Sequence, residues 1–357
     1  MMRLSVIVPV YNVARFIERG IGQLSAQSLD GEWEILLVDD GSTDGSAEMI
    51  DRLASAMPHV HAYHQRNAGA GAARNLGISQ AQGEYVWFYD IDDLIEPSLL
   101  AEIDGALKLN GNPDLLVFGF DEYDIILKTT TPRTFRDMNL QSNDELRKVW
   151  IREFSGVFGG SNGFVWNKVY RRSFLTENAI EFGNERIQQD EVFNLQVYAK
   201  VQTVVSISRI LYHYQVYSSG NTRSHYIPDR LDIYRSVMAS FRNLLDKWHL
   251  SDEDMERWLA RRFFSNVVTV LAYNCYHKEC PMNVAERRVY IENVMAQPDV
   301  QRLMTDMHKL RIYPNGFTSK CYASAIGRHS VALLSFARNF EKVTVNIKKS
   351  IHKLLRR

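Results

Sequence analysis

Over the first third of the chain, short and nearly continuous apolar runs alternate with longer stretches in which apolar residues recur every three or four positions. The runs Leu4 to Val10, Glu34 to Val38, Val60 to His64, Tyr85 to Tyr89 and Leu115 to Phe118 predict strands. Val13 to Gln27, Ser46 to Ala56, Ala70 to Gln80 and Pro97 to Leu109 predict helices between them, with Pro97 near a first turn, where its missing N–H costs nothing. The alternation predicts an α/β fold built on a Rossmann-like, mostly parallel central sheet flanked by helices. Beyond Phe120 the pattern changes: Thr129 to Arg133 reads as an unstructured link, and Gly159-Gly160-Ser161-Asn162-Gly163 as a mobile loop. From Asp229 the spacing is helical, over Leu231 to Trp248, Glu253 to Tyr276 and Val284 to Met295. These shifts divide the chain into 1–121, 122–228, a helical region 229–335 and a tail 336–357.

Composition narrows the function. With 357 residues, 45% of them hydrophobic, the chain can bury the cores of roughly two domains, so it is not a disordered protein. Its 42 basic and 42 acidic residues exclude a generally basic nucleic-acid binder. The balance hides an asymmetry: from Lys320 onward there are nine Lys or Arg and one acid, Glu341, which leaves 33 basic and 41 acidic groups before it. Three cysteines are too few for a disulfide framework and suit a reducing, cytoplasmic setting. No apolar run approaches the 18 residues of a spanning helix, and the N-terminus reads as a first strand, not a signal peptide.

Ligands of such sheets bind beyond the carboxyl ends of the strands. Two acidic clusters fall there, Asp39-Asp40-Gly41-Ser42-Thr43-Asp44 and Asp90-Ile91-Asp92-Asp93. One cluster alone reads equally well as a turn and helix cap; two on one edge point to a site. An Asp-x-Asp pair suits Mg²⁺ or Mn²⁺, whose remaining positions are filled by water and phosphate oxygens. The first strand is followed by neither a dinucleotide fingerprint nor a Walker loop. Gly69-Ala70-Gly71-Ala72-Ala73-Arg74 instead opens a helix, with Arg74 placed to reach an anion. Cys275-x-His277-x-x-Cys280 lacks a second ligand pair, and His59, His61 and His64 read as a half-exposed strand.

Together, Val8-Pro9-Val10-Tyr11-Asn12, Val38 to Asp44, Asn67-Ala68-Gly69 to Gly77, Gly83-Glu84-Tyr85 and Tyr89 to Asp93 resemble a family 2 inverting glycosyltransferase. The likeness continues through Val165-Trp166-Asn167-Lys168 and Gln189-Asp190-Glu191-Val192-Phe193 to about Tyr214. It implies a GT-A fold, with residues 1–121 as the nucleotide-sugar half and 122–228 as the acceptor half. It also implies transfer from a nucleoside diphosphate sugar, UDP above all, to a glycan or lipid-linked hydroxyl in surface polysaccharide assembly. By the same resemblance Pro9, Tyr11 and Asp39 hold the nucleoside, Asp40 and Arg74 border it, and Asp90 meets the ribose or donor sugar. Asp92 takes the Mg²⁺ or Mn²⁺, with Asp90, His213 or His225 as further candidate ligands, Asp93 caps the next helix, and Arg223 contacts phosphate. Asp190 is the base, with Glu191 as alternate; Gln189 and Gln215 depart from the family pattern. A helix N-cap is the plain structural reading of Asp190. A nucleotidyltransferase and a catalytically silent binding module are the competing functions.

The tail places Phe336, Phe340, Val343, Ile347, Ile351, Leu354 and Leu355 mostly three or four apart, among Arg338, Lys342, Lys348, Lys349, Lys353, Arg356 and Arg357. This basic amphipathic helix suits an anionic membrane and a peripheral position on the inner face of the cytoplasmic membrane. Its alternatives are the protein's own surface and a second subunit of a homo-oligomer.

Overall fold

Leu4, Val6, Ile7, Val8 and Val10 are all buried, so their strand, β1 (Met2–Val10), is covered on both faces. The computed structural model describes residues 2–125, 127–155, 163–216, 225–250 and 252–354, with side chains described as far as 345. The chain divides into two compact units, Met1–Gly220 and Asn221–Arg357.

In the first unit β1 is followed by α1 (Ala14–Ser25), β2 (Glu32–Asp39), α2 (Ser46–Ala56), β3 (Val60–His64), α3 (Ala70–Gln80) and β4 (Tyr85–Phe88). Then come β5 (Leu94–Ile95), α4 (Leu99–Leu109), β6 (Leu115–Asp124), β7 (Thr129–Arg133), β8 (Met138–Leu140) and α5 (Asn143–Glu153). β9 (Lys168–Arg171), α6 (Arg172–Glu177), α7 (Gln189–Lys200) and β10 (Val204–Val216) complete the unit. The sheet order is β3-β2-β1-β4-β9-β6-β10-β5, with β7 paired to β6 and β8 to β10. β1 to β4 run parallel, as expected from the alternation, whereas β9 enters antiparallel between β4 and β6. α3 packs tightly on the sheet because Gly77 lacks a side chain: a Cβ there would lie 2.3 Å from Ile7 Cγ2.

The structure corrects an expectation here. Thr129 to Arg133 is a strand and not a link, paired antiparallel along the outer part of β6. The loop expected at 159–163 lies outside the described residues except for Gly163.

The core beneath β4, β6, β9 and β10 is aromatic. Trp166 stacks on Tyr212 with ring centres 4.3 Å apart and meets Phe120 edge-on at 4.7 Å, while Trp87 Nε1 donates to the Trp166 carbonyl at 2.7 Å. This rigid stack lies directly behind the turn that carries Asp90 to Asp93, because the Tyr212 hydroxyl donates to Asp93.

The second unit consists of helices α8 (Arg230–Lys247), α9 (Glu253–Val268), α10 (Val284–Met295), α11 (Pro298–Lys309), α12 (Phe317–Gly327) and α13 (Val331–Leu354). The helix expected to run to Tyr276 keeps α geometry only to Val268, then loosens into a π turn over Thr269–Tyr273 and a 3₁₀ turn over Asn274–Tyr276. The cause is the buried Asn274 amide, which accepts from Ile227 N–H and Arg230 Nε and donates to the Ile227 carbonyl.

Candidate active site

The parallel register aligns the ends of four strands. Val10 lies beside Asp39, Asp39 beside His64, and Ile7 beside Phe88, so the segments following β1, β2, β3 and β4 share one edge. Pro9 is partly buried in β1, and Tyr11 just beyond is half exposed, with its ring available for stacking. Asp39 and Asp40 are buried. Asp39 accepts the Ser42 N–H at 3.0 Å through one oxygen and faces His64 Nδ1 at 3.4 Å through the other. Asp40 is taken up by the protein itself: it accepts from Gln65 Nε2 and Ala68 N–H, both at 2.7 Å, and from Gly69 N–H at 2.8 Å. That carboxylate therefore fixes the loop that opens α3.

Arg74, on α3, is buried and links the turn after β4 to α7. Its guanidinium pairs with Asp90 at 3.0 Å and with Asp190 at 2.8 Å, and it lies over the Phe182 ring. The expected anion partner is thus a pair of carboxylates. Asp190 sits in the first turn of α7, whose N-cap is Gln188; Asp190 is not itself the cap. The positive end of the helix and Arg74 both favour its ionised form, while burial pushes its pKa up and Arg74 works against that rise. Gln189, which departs from the family pattern, packs against Gly71: a Cβ at position 71 would lie 2.2 Å from its Oε1, so the glycine lets α7 approach α3. Glu191 follows Asp190 in the same turn, beside Gly163.

The Asp90 to Asp93 turn crowds three acids. Burial, followed by the Asp90 charge, pushes Asp92 up to about 6. Asp93 does not cap α4; it accepts from the Tyr212 hydroxyl and the Gln215 N–H, both at 2.7 Å, and burial holds its carboxyl well above the usual range. Gln215 thus contributes its backbone to the turn, while its side chain donates to the His213 carbonyl. His213 is engaged at both ring nitrogens, Nδ1 by Asp121 at 2.9 Å and Nε2 by Glu96 at 3.0 Å, which leaves neither lone pair open to a metal. His225 belongs to the second unit, where Nδ1 meets Glu279 at 3.2 Å. Arg223 lies outside the described residues.

Among the described residues no three His, Cys, Asp or Glu side chains assemble as a metal cage. The donor set fits a different mode. Mg²⁺ or Mn²⁺ bound together with phosphates needs only one or two protein carboxylates, and the crowded Asp90 and Asp92 supply hard oxygen donors whose mutual repulsion a cation would relieve.

Two residues of this region have no role in the sequence reading, although Lys168 closes the Val165-Trp166-Asn167-Lys168 motif. Lys168 is buried at the start of β9, with Nζ donating to the Phe164 carbonyl at 2.5 Å and to Asn167 Oδ1 at 2.9 Å. Burial pulls its pKa down to about 7, against the pull of Asp190. The signal was present: a lone lysine inside Val165-Trp166-Asn167-Lys168-Val169-Tyr170, among residues that are otherwise buried. Phe182, stacked on Phe193 with centres 4.1 Å apart, backs Arg74, and nothing local in the sequence marks it.

Residues 5–174 match the model described as glycosyl transferase family 2. The chain is 31% identical over 221 residues to a putative glycosyltransferase, EpsH, of Bacillus subtilis (strain 168), covering 61% of this chain and 62% of that one. Two solved structures share the fold. TarS 1–349 of S. aureus, in complex with UDP-GlcNAc, superposes with a TM-score of 0.64 at 19% identity, covering 96% of this chain and 92% of that one. The mannosyltransferase PcManGT of Pyrobaculum calidifontis, in complex with GDP-Man and Mn²⁺, does so with a TM-score of 0.50 at 16% identity, covering 92% and 87%. The ordered motifs along one sheet edge, the GT-A type architecture and the family match agree on residues 5–174: this part of the chain matches glycosyl transferase family 2.

Proposed function

We propose that the first unit moves a sugar, with inversion, from a nucleoside diphosphate sugar to a hydroxyl of a glycan or lipid-linked acceptor in surface polysaccharide assembly, on the cytoplasmic side of the membrane. The observation that carries this reading is Arg74, one guanidinium holding both Asp90, at the donor edge, and Asp190, on α7. An inverting displacement needs a base on the side of the anomeric carbon opposite the departing diphosphate. A bridge between the two carboxylates sets their separation. Asp190 then takes the acceptor proton through the oxygen that Arg74 does not hold, as the acceptor oxygen bonds to the anomeric carbon and the bond to the diphosphate breaks. Burial, by raising the basicity of Asp190, suits it to that task.

In the same reading Tyr11 stacks on the base and Asp39 accepts from it, held in place by Ser42 and His64. A divalent cation arriving with the diphosphate would be held by Asp92, with Asp90 beside it, and would supply positive charge against the charge developing on the leaving group. The complex of TarS with UDP-GlcNAc supports uridine as the base.

Titration calorimetry with UDP, with and without Mn²⁺, tests the donor site; absence of binding under both conditions would remove it. Asp190→Asn should bind UDP as the parent does while transfer falls by about 10²–10⁴-fold. A parental transfer rate in that variant would move the base to Glu191.

A further inference from the structure

α13 has two working faces. On one side Leu334 and Ala337 are fully buried, Arg338 donates to the Ala272 carbonyl at 2.8 Å and lies over the Tyr276 ring, and Glu341 accepts from the hydroxyls of Tyr273 and Tyr322. At about 100° per residue, Phe336, Phe340 and Val343 fall on the opposite side. They are 51%, 37% and 56% exposed. Phe317, at the start of α12 and also exposed, joins them, with ring centres 5.0 Å from Phe340 and 6.4 Å from Phe336. The helix therefore docks through one stripe and turns a second, aromatic stripe outward; among the described residues its own unit does not cover that face. The sequence continues the same spacing with Ile347, Ile351 and Leu354.

The charge around this face identifies its occupant. From Lys320 onward the chain carries nine basic residues and one acid; Arg338 and that acid, Glu341, are engaged on the inner face, which leaves eight basic residues against none. Lys320 and Lys342 are exposed. A second copy meeting the same face would bring like charge to like charge. No described helix is long and apolar enough to cross a membrane. We propose that this face is a docking surface for an anionic bilayer: α13 lies in the interface, Phe317, Phe336, Phe340 and Val343 enter the boundary of headgroups and acyl chains, and the lysines meet lipid phosphates. The proposal goes beyond sugar transfer and stands independently of it.

The full chain is mixed with vesicles of phosphatidylcholine, with and without phosphatidylglycerol, and sedimented. It should partition to the anionic vesicles alone, and high salt should release it. The triple variant Phe317→Ser, Phe336→Ser, Phe340→Ser should partition about tenfold less or weaker, with an unchanged melting temperature and unchanged UDP binding showing that both units remain folded. Lys320→Glu with Lys342→Glu, which leaves the aromatic stripe intact, should weaken the anionic preference. Equal partitioning of the parent and the triple variant would overturn the proposal. So would a parent that forms dimers in solution, splits into monomers with the triple substitution, and ignores both kinds of vesicle.

Discussion

Asp40 and Asp190 both stand beside the same edge of the sheet, and different parts of the chain hold them. Asp40 is held by the Ala68 and Gly69 N–H groups and the Gln65 amide, all within 29 residues of it. Asp190 is held by a single side chain 116 residues away, Arg74. Backbone N–H groups are supplied by any residue, so the turn around Asp40 can keep its geometry through many changes of neighbour. Asp190 takes its ion pair from one cation with a fork-shaped set of donors, and a fork is what lets one residue serve two carboxylates.

Replacing that cation is the most direct way to break the contrast. Arg74→Met leaves Asp90 and Asp190 without their counter-charge, and breaking a buried pair costs about 3–5 kcal/mol. The lower end applies, because the two carboxylates keep 27% and 25% of their side-chain surface. Stability in urea should fall by about 3 kcal/mol, and transfer by at least the loss expected of Asp190→Asn. Arg74→Lys, a point charge, should restore part of the stability and little of the transfer. Parental values of both quantities in Arg74→Met would show that α7 positions Asp190 unaided.

Asp40→Ala probes the other side. Two backbone N–H groups lose their acceptor, which costs about 2 kcal/mol when water reaches them in part. UDP affinity should fall as the loop opening α3 shifts, while turnover at saturating donor should stay close to the parent's. A larger loss of turnover than of affinity would place Asp40 among the reacting groups.

The same contrast governs what the sequence reveals. Asp39, Asp40 and the Asp90-x-Asp92 pair are legible because strand-end turns are local: an apolar run, a turn and an acid lie within ten residues. The ion pair of Arg74 with Asp190 is not legible, since it requires the crossing of α3 and α7 that only the folded sheet creates. Asp93 departs from its expected helix cap for a related reason: β10 returns to occupy both its carboxylate oxygens through Tyr212 and Gln215. Thr129 to Arg133 hid in another way. Its exposed threonines carry no apolar signal, yet β-branched residues suit an edge strand, and Pro132 is tolerated there because an edge leaves N–H positions unpaired.

His64 gives the smallest effect and the finest test of the donor edge. Its ring faces Asp51 at 2.9 Å and Asp39 at 3.4 Å, two acceptors, so both nitrogens bond only when the imidazole is protonated. Burial lowers its pKa, but the bonds to Asp51 and then Asp39 outweigh that and raise it above 6.5. A raised folded pKa stabilises fully below the unfolded value, near 6.5, and the contribution fades as pH climbs through the folded one. The side chain is 42% exposed, so solvent screening limits the gain to below about 1 kcal/mol. Urea midpoints of the parent and His64→Asn should therefore differ most below about pH 6.5 and converge as the pH climbs above it. A gap that stays constant or widens with pH would mean that Asp39 rests on the Ser42 N–H alone, and the donor edge would then be built from local backbone contacts throughout.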